Sequence, residues 1–223
     1  SYTTETPVNS TISPKTGTIQ SSALVMNGPT FETTETPIDL VSYVYKQLDK
    51  IGVPRHIYQG ITASGDASRE ALISGKYGAK IFHIGPSRDE IFFKGLNEDN
   101  SQLNIQIDRV PFNKAEGIVC TGLFDDDVET PFDYTEQLIE AKNRGLKMLC
   151  ANPDIQVDRG THRIYCAGAI AKAFNDMGGT ADNYGKPHSP IYNLARVRLN
   201  KIAGKVIPDK KILCVGDGII TAP

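Results

Sequence analysis

The sequence predicts an α/β protein in which helices cover both faces of a parallel sheet. Short apolar runs without polar alternation recur along the chain, as at residues 80–84, 117–121 and 147–151. Segments with apolar residues at helical spacing separate these runs. Strands of this kind, connected through helices, are typical of parallel sheets that are buried on both sides. At 223 residues, with 39% apolar and 22% charged residues, the chain can form one or two globular domains.

The N-terminal part predicts an extended segment followed by a strand and a helix. Residues 1–22 are half Ser and Thr and are interrupted by prolines, which predicts an extended lead-in. The apolar run at 23–26 ends at Asn27-Gly28 and predicts a buried strand with a tight loop after it. Apolar residues spaced three and four apart from Ile38 to Leu48, followed by Gly52, predict an amphipathic helix.

The remaining elements follow the same alternation. The pattern predicts strands at residues 60–63, 80–85, 117–121, 147–151 and 211–215, and helices at residues 67–73, 133–144, 168–177 and 189–201.

Charge and composition exclude several classes of function. A formal net charge of −2 gives no overall basic field for nucleic acid, and no apolar stretch is long enough to span a membrane. No two cysteines form a C-x-x-C pair, so Cys120, Cys150, Cys166 and Cys214 are predicted to be buried thiols of a reducing cytosol. We therefore expect a cytoplasmic protein with a small-molecule partner, and self-association into a homo-oligomer is compatible with this composition.

Polar residues directly after four apolar runs are the candidates for chemistry. Ligands of open α/β sheets bind at the carboxyl ends of strands. The four places are Asn27-Gly28, Asn152-Pro153-Asp154, Gly185-Lys186-Pro187-His188 and Gly216-Asp217-Gly218. Each alone is a common turn or helix-start sequence. Their order and spacing along one chain make a functional interpretation more specific.

Together these motifs resemble the haloacid-dehalogenase superfamily, in its branch with a large α/β cap, the NagD-like sugar and nucleotide phosphatases. The resemblance rests on "GVPRHIYQGITASGDASREAL", "NPD", "CAGAIAKAFNDMGG", "GKPHSPIY" and "ILCVGDG", in that order. It implies a three-layer, Rossmann-like core formed by residues 23–66 and 181–223, incomplete in this chain, with a cap domain at residues 67–180 inserted between them.

The function implied by the resemblance is Mg²⁺-dependent hydrolysis of a small phosphate monoester through an aspartyl-phosphate intermediate. Lys186 matches the lysine that offsets repulsion between the attacking carboxylate and the phosphate. Asp217 matches an acidic ligand of the metal. The positions that match phosphate- or substrate-binding residues are Asn27, Gly28, Asn152, Asp154 and His188.

The sequence also departs from the family pattern. Residues 1–38 contain no Asp, so the D-x-D motif that carries the nucleophile is not found. Met26 stands at the hydroxyl position of the second motif, and Ala222 stands at the second acid of the fourth. Three explanations stay open: a piece or rearranged form of a phosphatase, a non-catalytic phosphometabolite-binding pseudo-enzyme, or an unrelated α/β binding module. The abrupt losses at both ends favour the first explanation, and four ordered motifs disfavour the third. We expect negligible phosphatase activity from the chain as written.

Overall fold

The computed structural model describes residues 22–25, 40–97 and 105–215. The helices are α1 (Leu40–Lys50), α2 (Ser64–Ile73), α3 (Thr135–Asn143), α4 (Ala167–Asp176) and α5 (Ser189–Ala203). The strands are β1 (Ser22–Val25), β2 (Gly60–Ala63), β3 (Lys80–Ile84), β4 (Asp108–Arg109), β5 (Gly117–Cys120), β6 (Lys147–Cys150), β7 (Gln156–Arg159), β8 (His162–Tyr165) and β9 (Thr180–Asn183).

A five-stranded parallel sheet in the order β4-β3-β5-β6-β9 forms the centre of the molecule. Two of its inner strands, β5 and β6, have seven of their eight residues buried, and the exposed residue is Lys147. The apolar runs of these strands predict this burial. Two further strand pairs are antiparallel: β1 with β2, and the hairpin β7–β8. Within the described residues, no helix is long and apolar enough to cross a membrane.

Helices cover both faces of this sheet, because successive side chains of a strand point to opposite sides. On one face, Ile118 and Met148 pack with side chains of α3 and α4, including Leu138 and Ile170. On the other face, Val119 and Leu149 pack with α2 and α5. These three layers confirm the predicted α/β class.

A smaller cluster lies between α1 and β2 and consists of Leu48, Tyr58 and Ile61. The Arg198 guanidinium of α5 donates hydrogen bonds to the Ile61 carbonyl oxygen at 2.7 Å and to the Asp66 carboxylate at 2.6 Å. The side chain of Asp66 is only 8% exposed. This partly buried ion pair connects α5 to β2 and to the first turn of α2.

Most of the predicted elements are present, within one to three residues at their ends. The strand predicted at 211–215 is wrong: these residues form no strand, and Leu213 is 86% exposed. Cys214 is exposed, so the prediction of a buried thiol fails there, whereas Cys120, Cys150 and Cys166 are buried and free. The β1–β2 pair is antiparallel, whereas the pattern predicted parallel strands. The domain boundaries stay a prediction; the parallel sheet spans residues 80–183.

Candidate functional site

The loop after β6 contains the predicted residues Asn152 and Asp154. The Asn152 side chain is largely buried, and its Oδ1 accepts a hydrogen bond from the Asp154 backbone N–H at 3.3 Å. The Cys150 thiol donates to the Asn152 carbonyl oxygen at 3.3 Å. Asn152 therefore shapes the turn, since an Asn that bonds the backbone two residues ahead mimics a backbone turn. Asp154 is half-buried.

The amino end of α4 closes against this loop. The Gly168 N–H donates to the Asp154 carbonyl oxygen at 3.1 Å, and the Cys166 N–H donates to the Ile155 carbonyl oxygen at 3.0 Å. A Cβ atom at Gly168 would lie 2.0 Å from the Pro153 carbonyl oxygen. Only glycine permits this approach, so the "CAGAI" segment and the "NPD" segment are matched in shape.

The loop after β9 packs on the same turn. Gly185 is buried, and a Cβ atom there would lie 2.3 Å from Pro153 Cδ and 3.4 Å from Ser64 Cβ. The following Lys186–Pro187 peptide bond is cis. The His188 N–H then donates to the Gly185 carbonyl oxygen at 2.9 Å, directly before α5 begins. The structure thus brings the second and third predicted motifs into contact.

These loops and the β7–β8 hairpin enclose a cleft of about 410 Å³. Its lining residues are Pro153, Asp154, Ile155, Gln156, Val157, Asp158, Arg163, Lys186 and Pro187. Arg163 Nε donates to Asp158 Oδ1 at 2.9 Å. Within the described part of the chain, by contrast, the Lys186 ammonium has no carboxylate partner. A cation of this kind on a cleft can bind an anionic ligand.

Two of the predicted site residues, Asp154 and Lys186, line this cleft. Asn152 and His188 lie in the adjoining loops and do not line it. Asn27, Gly28 and Asp217 fall outside the described residues.

Sequence reasoning missed the hairpin wall of the cleft. Strands β7 and β8 pair from Gln156↔Tyr165 to Arg159↔His162, which leaves a two-residue loop that begins at Gly160. Gly160 has a φ of 63°, and a glycine between two short runs was the available signal. Val157 and Ile164 are the only aliphatic residues of the hairpin strands, so the alternation was too weak to predict strands.

The cysteines beneath the cleft are not poised as nucleophiles. Burial raises the pKa of the Cys150 thiol to about 12. Burial, followed by the nearby Asp154 carboxylate, raises the pKa of the Cys166 thiol to about 11. Because the thiolate is the nucleophilic form, these protonated thiols are unreactive at neutral pH.

Ion pairs to Asp126 also hold the β7–β8 hairpin in place. Arg159 of β7 and Arg88 both donate to the Asp126 carboxylate, which is only 10% exposed. Burial opposes ionisation of Asp126, but these two guanidinium groups keep its pKa below the usual value. Asp126, in the loop that follows β5, therefore ties the hairpin to the end of that strand.

His83 of β3 is a packed residue. His83 Nε2 lies 2.9 Å from Thr121 Oγ1, and the His83 ring contacts Phe93 edge to face. Burial, followed by the positive charge of Arg109, lowers the pKa of His83 to about 4. Neutral at physiological pH and covered by Phe93, this side chain is a structural group.

A hydrolase of the haloacid dehalogenase-like family from Brucella suis has a similar structure. The match covers 82% of this chain and 64% of the Brucella chain, with 38% sequence identity and a TM-score of 0.72. This chain belongs to the haloacid dehalogenase-like family. It spans a little less than two thirds of that relative, so the activity of the whole protein is a matter for proposal. Neither a protein-family profile nor a curated protein sequence matches it.

Two more distant structures share the family fold. A p-nitrophenyl phosphatase from Archaeoglobus fulgidus is 21% identical, with a TM-score of 0.50 over 75% of this chain and 58% of its own. A glycerol phosphate phosphatase from Mycobacterium tuberculosis, in complex with magnesium, is 16% identical, with a TM-score of 0.51 over 74% of this chain and 47% of its own. At these identities the likeness shows the fold alone.

Proposed function

We propose that this family member binds small phosphate monoesters in the cleft. Where the full set of catalytic residues of its family is present, the bound ester is hydrolysed. The observation that supports the proposal is the ammonium group of Lys186, which has no partner within the described residues and faces a cleft of about 410 Å³. The motifs Asn152-Pro153-Asp154 and Gly185-Lys186-Pro187 meet there. Two structural relatives, named above, are a p-nitrophenyl phosphatase and a glycerol phosphate phosphatase.

In this proposal Lys186 binds a phosphate oxygen and offsets the negative charge that accumulates during phosphoryl transfer. Asn27 and Gly28 bind the transferred phosphate. Asp154 and the hairpin residues Asp158 and Arg163 contact the rest of the substrate, since both elements line the cleft. A substrate with a hydroxyl or amine group suits the Asp154 carboxylate, which can accept a hydrogen bond.

Magnesium dependence is proposed from the family resemblance, with Asp217 as a ligand. Within residues 40–97 and 105–215, no three His, Cys, Asp or Glu side chains are grouped to hold a metal ion. The described residues therefore do not by themselves form a magnesium site. The roles proposed for Lys186 and Asp154 do not depend on the ion.

The absence of Asp from residues 1–38 favours a second form of the proposal for this chain. A chain without the attacking carboxylate retains the cation of Lys186 and binds a phosphate monoester without turning it over. Binding and turnover therefore have to be measured separately.

The experiment compares the full chain with Lys186→Ala and with Lys114→Ala, a control at an exposed lysine far from the cleft in sequence. Titration calorimetry with p-nitrophenyl phosphate measures binding with and without Mg²⁺. We expect the control to bind like the parent and Lys186→Ala to bind at least about tenfold more weakly, the loss of one charge-assisted hydrogen bond. Equal binding by both variants, or none by the parent, contradicts the proposal.

Turnover of the same compound by the parent chain is expected to be negligible. A rate of about 1 per second or faster, normal for an enzyme, would show that another group replaces the missing carboxylate. It would refute the binding-only form of the proposal while leaving the phosphate site intact.

A further inference from the structure

The β7–β8 hairpin is the wall of the cleft with the least support from the rest of the fold. Among the residues that the structure describes, its two strands pair only with each other and not with the central sheet. An isolated two-stranded hairpin is only marginally stable in water. The turn and the start of β8, residues 160–163, are exposed. A fixed position beside the cleft therefore requires contacts between the hairpin and the rest of the molecule.

Apolar packing anchors the open end of the hairpin. Val157 and Ile164 oppose each other and are its one aliphatic pair, and Ile164 is buried. Tyr165 packs against the cluster formed with α3 and α4. The Cys166 N–H, just beyond β8, donates to the Ile155 carbonyl oxygen at 3.0 Å. All these contacts lie in the half of the hairpin that is farther from its turn.

Ion pairs hold the half that carries the turn. Arg159 is the last residue of β7 and lies opposite His162 across the turn. Its Nη2 donates to the Asp126 carboxylate at 2.5 Å, and its Nη1 donates to the Asp127 carboxylate at 3.2 Å. A planar guanidinium that bonds two carboxylates in this way fixes direction as well as distance. These ion pairs join the turn half of the hairpin to the loop after β5.

The side chains next to Arg159 face the cleft. Asp158 and Arg163 oppose each other one position before the Arg159 pair, and both line the cleft, whereas Arg159 does not. Neighbouring side chains of a strand point to opposite faces. Arg159 is therefore bound on the face of the hairpin that is turned away from Asp158 and Arg163, and it fixes their distance from the opposite wall.

We propose that Arg159 is a positioning residue for the cleft, because its ion pairs with Asp126 and Asp127 hold the hairpin as a fixed wall. This inference rests on the proposed function, in which Lys186 binds the phosphate and the hairpin contacts the rest of the ester. Without Arg159 the wall has to be ordered when the ester binds, and that ordering reduces affinity. Inorganic phosphate, which has no organic part, does not need the wall.

Arg88 offers a matched comparison. It also donates to the Asp126 carboxylate, from Nη1 to Oδ1 at 3.1 Å, but it lies in the short helix Ser87–Phe93 that follows β3. Each of the variants Arg88→Ala and Arg159→Ala removes one guanidinium from Asp126 and leaves the other in place. Only Arg159→Ala releases the hairpin.

Titration calorimetry of the full chain and of these two variants tests the role of Arg159, with p-nitrophenyl phosphate and inorganic phosphate as ligands. We expect Arg159→Ala to bind p-nitrophenyl phosphate at least about fivefold more weakly than the parent and to bind inorganic phosphate like the parent. Arg88→Ala is expected to bind both compounds like the parent. Arg159→Lys, which keeps a positive charge beside Asp126, should recover part of the lost affinity.

Hydrogen exchange measures the position of the hairpin without a ligand. In Arg159→Ala the backbone amides of β7 and β8 should exchange at least about tenfold faster than in the parent, while those of β6 keep their protection. Retained protection of β6 shows that the variant is folded. Arg88→Ala should leave the exchange of the hairpin unchanged.

Several results overturn the inference. Equal weakening of both ligands by Arg159→Ala, or equal weakening by Arg88→Ala, shows a general loss of structure. Unchanged exchange in the hairpin, or a lysine variant that binds as weakly as the alanine variant, shows that the ion pairs do not hold the wall. A parent that binds both compounds, with Arg159→Ala binding equally well, refutes this inference alone. A parent that binds neither compound refutes the proposed function and this inference with it.

Discussion

Two tetrapeptides that differ at one position have opposite structures in this molecule. Residues 147–150 are Lys-Met-Leu-Cys, and residues 211–214 are Lys-Ile-Leu-Cys. The first forms β6, an inner strand of the sheet, with Leu149 fully buried. The second forms no strand, and Leu213 is 86% exposed.

The difference lies in the neighbours of each segment. Strand β6 has a parallel partner on both sides, β5 and β9, and layers of helix above and below. Within the described residues, the segment 211–214 pairs with no strand. An apolar run therefore becomes a strand only where the rest of the fold supplies hydrogen-bonding partners and packing. Intrinsic β-propensity, which is nearly the same in both, does not decide the outcome.

The largest expected effect is the loss of stability when the leucine of the first segment is shortened. The same change in the second segment is the control. Leu149→Ala leaves a cavity in a closely packed core and should lower the free energy of unfolding by about 2–5 kcal/mol. Leu213→Ala, the matched control, should change it by less than about 0.5 kcal/mol. Urea denaturation measures both. If the two variants lose equal stability, residues 211–214 are packed in solution.

A smaller effect is expected at the contact between the sheet and the β2 region. Arg198→Ala leaves the buried Asp66 carboxylate without its guanidinium partner and should cost about 2 kcal/mol. Hydrogen exchange should quicken at β2 while β6 keeps its protection. Arg196→Ala, which removes an exposed ion pair on the same helix, is the control. Uniformly faster exchange in both strands would mean that the two regions unfold as one unit.

The smallest expected effect is on how the stability of the protein depends on pH, and it arises from His83 in the sheet. His83 titrates near pH 6.5 when unfolded and near 4 when folded, so the unfolded state binds the proton more readily between these values. The stability linked to His83 is complete above about pH 6.5 and is lost as the pH falls toward 4. His83→Gln should flatten this part of the profile by about 1 kcal/mol, after allowance for partial exposure.

Thermal denaturation between pH 4 and 7 measures this slope, and His56→Gln, at an exposed histidine of the β2 region, is the control. A parent profile that does not fall toward pH 4, or one that His56→Gln flattens equally, would contradict the assignment to His83.

The sequence predicted the buried strands better than the edge strands. Apart from Lys147 at the start of β6, strands β5 and β6 consist of apolar residues, because both faces of the sheet are covered there. Strand β9 is Thr-Ala-Asp-Asn and lies at the edge of the sheet, with no second partner strand among the residues that the structure describes. It is held by hydrogen bonds to β6 and by the Tyr77–Asp182 contact of 2.8 Å. A polar edge strand of this kind has no apolar signature to detect.

The loops of the candidate site could be predicted from the sequence, but the β7–β8 hairpin that closes the cleft could not. Asp154 and Lys186 follow strands β6 and β9, which are neighbours in the sheet, so the rule that ligands bind at carboxyl ends places them together. The hairpin that closes the cleft contributes Asp158 and Arg163 from strands with little apolar character. The roles of Lys186, Asp154 and the residues outside the described part stay predictions.

The buried position of Gly185 has a consequence for how the cleft assembles. Ser64, Pro153 and Gly185 meet at one point although more than a hundred residues separate the first from the last. Contacts between such distant parts of a chain require closure of long loops, which is entropically costly and slow. We therefore expect the orientation of Lys186 to depend on all three segments, so that the cleft assembles late in folding, once these distant parts of the chain have met.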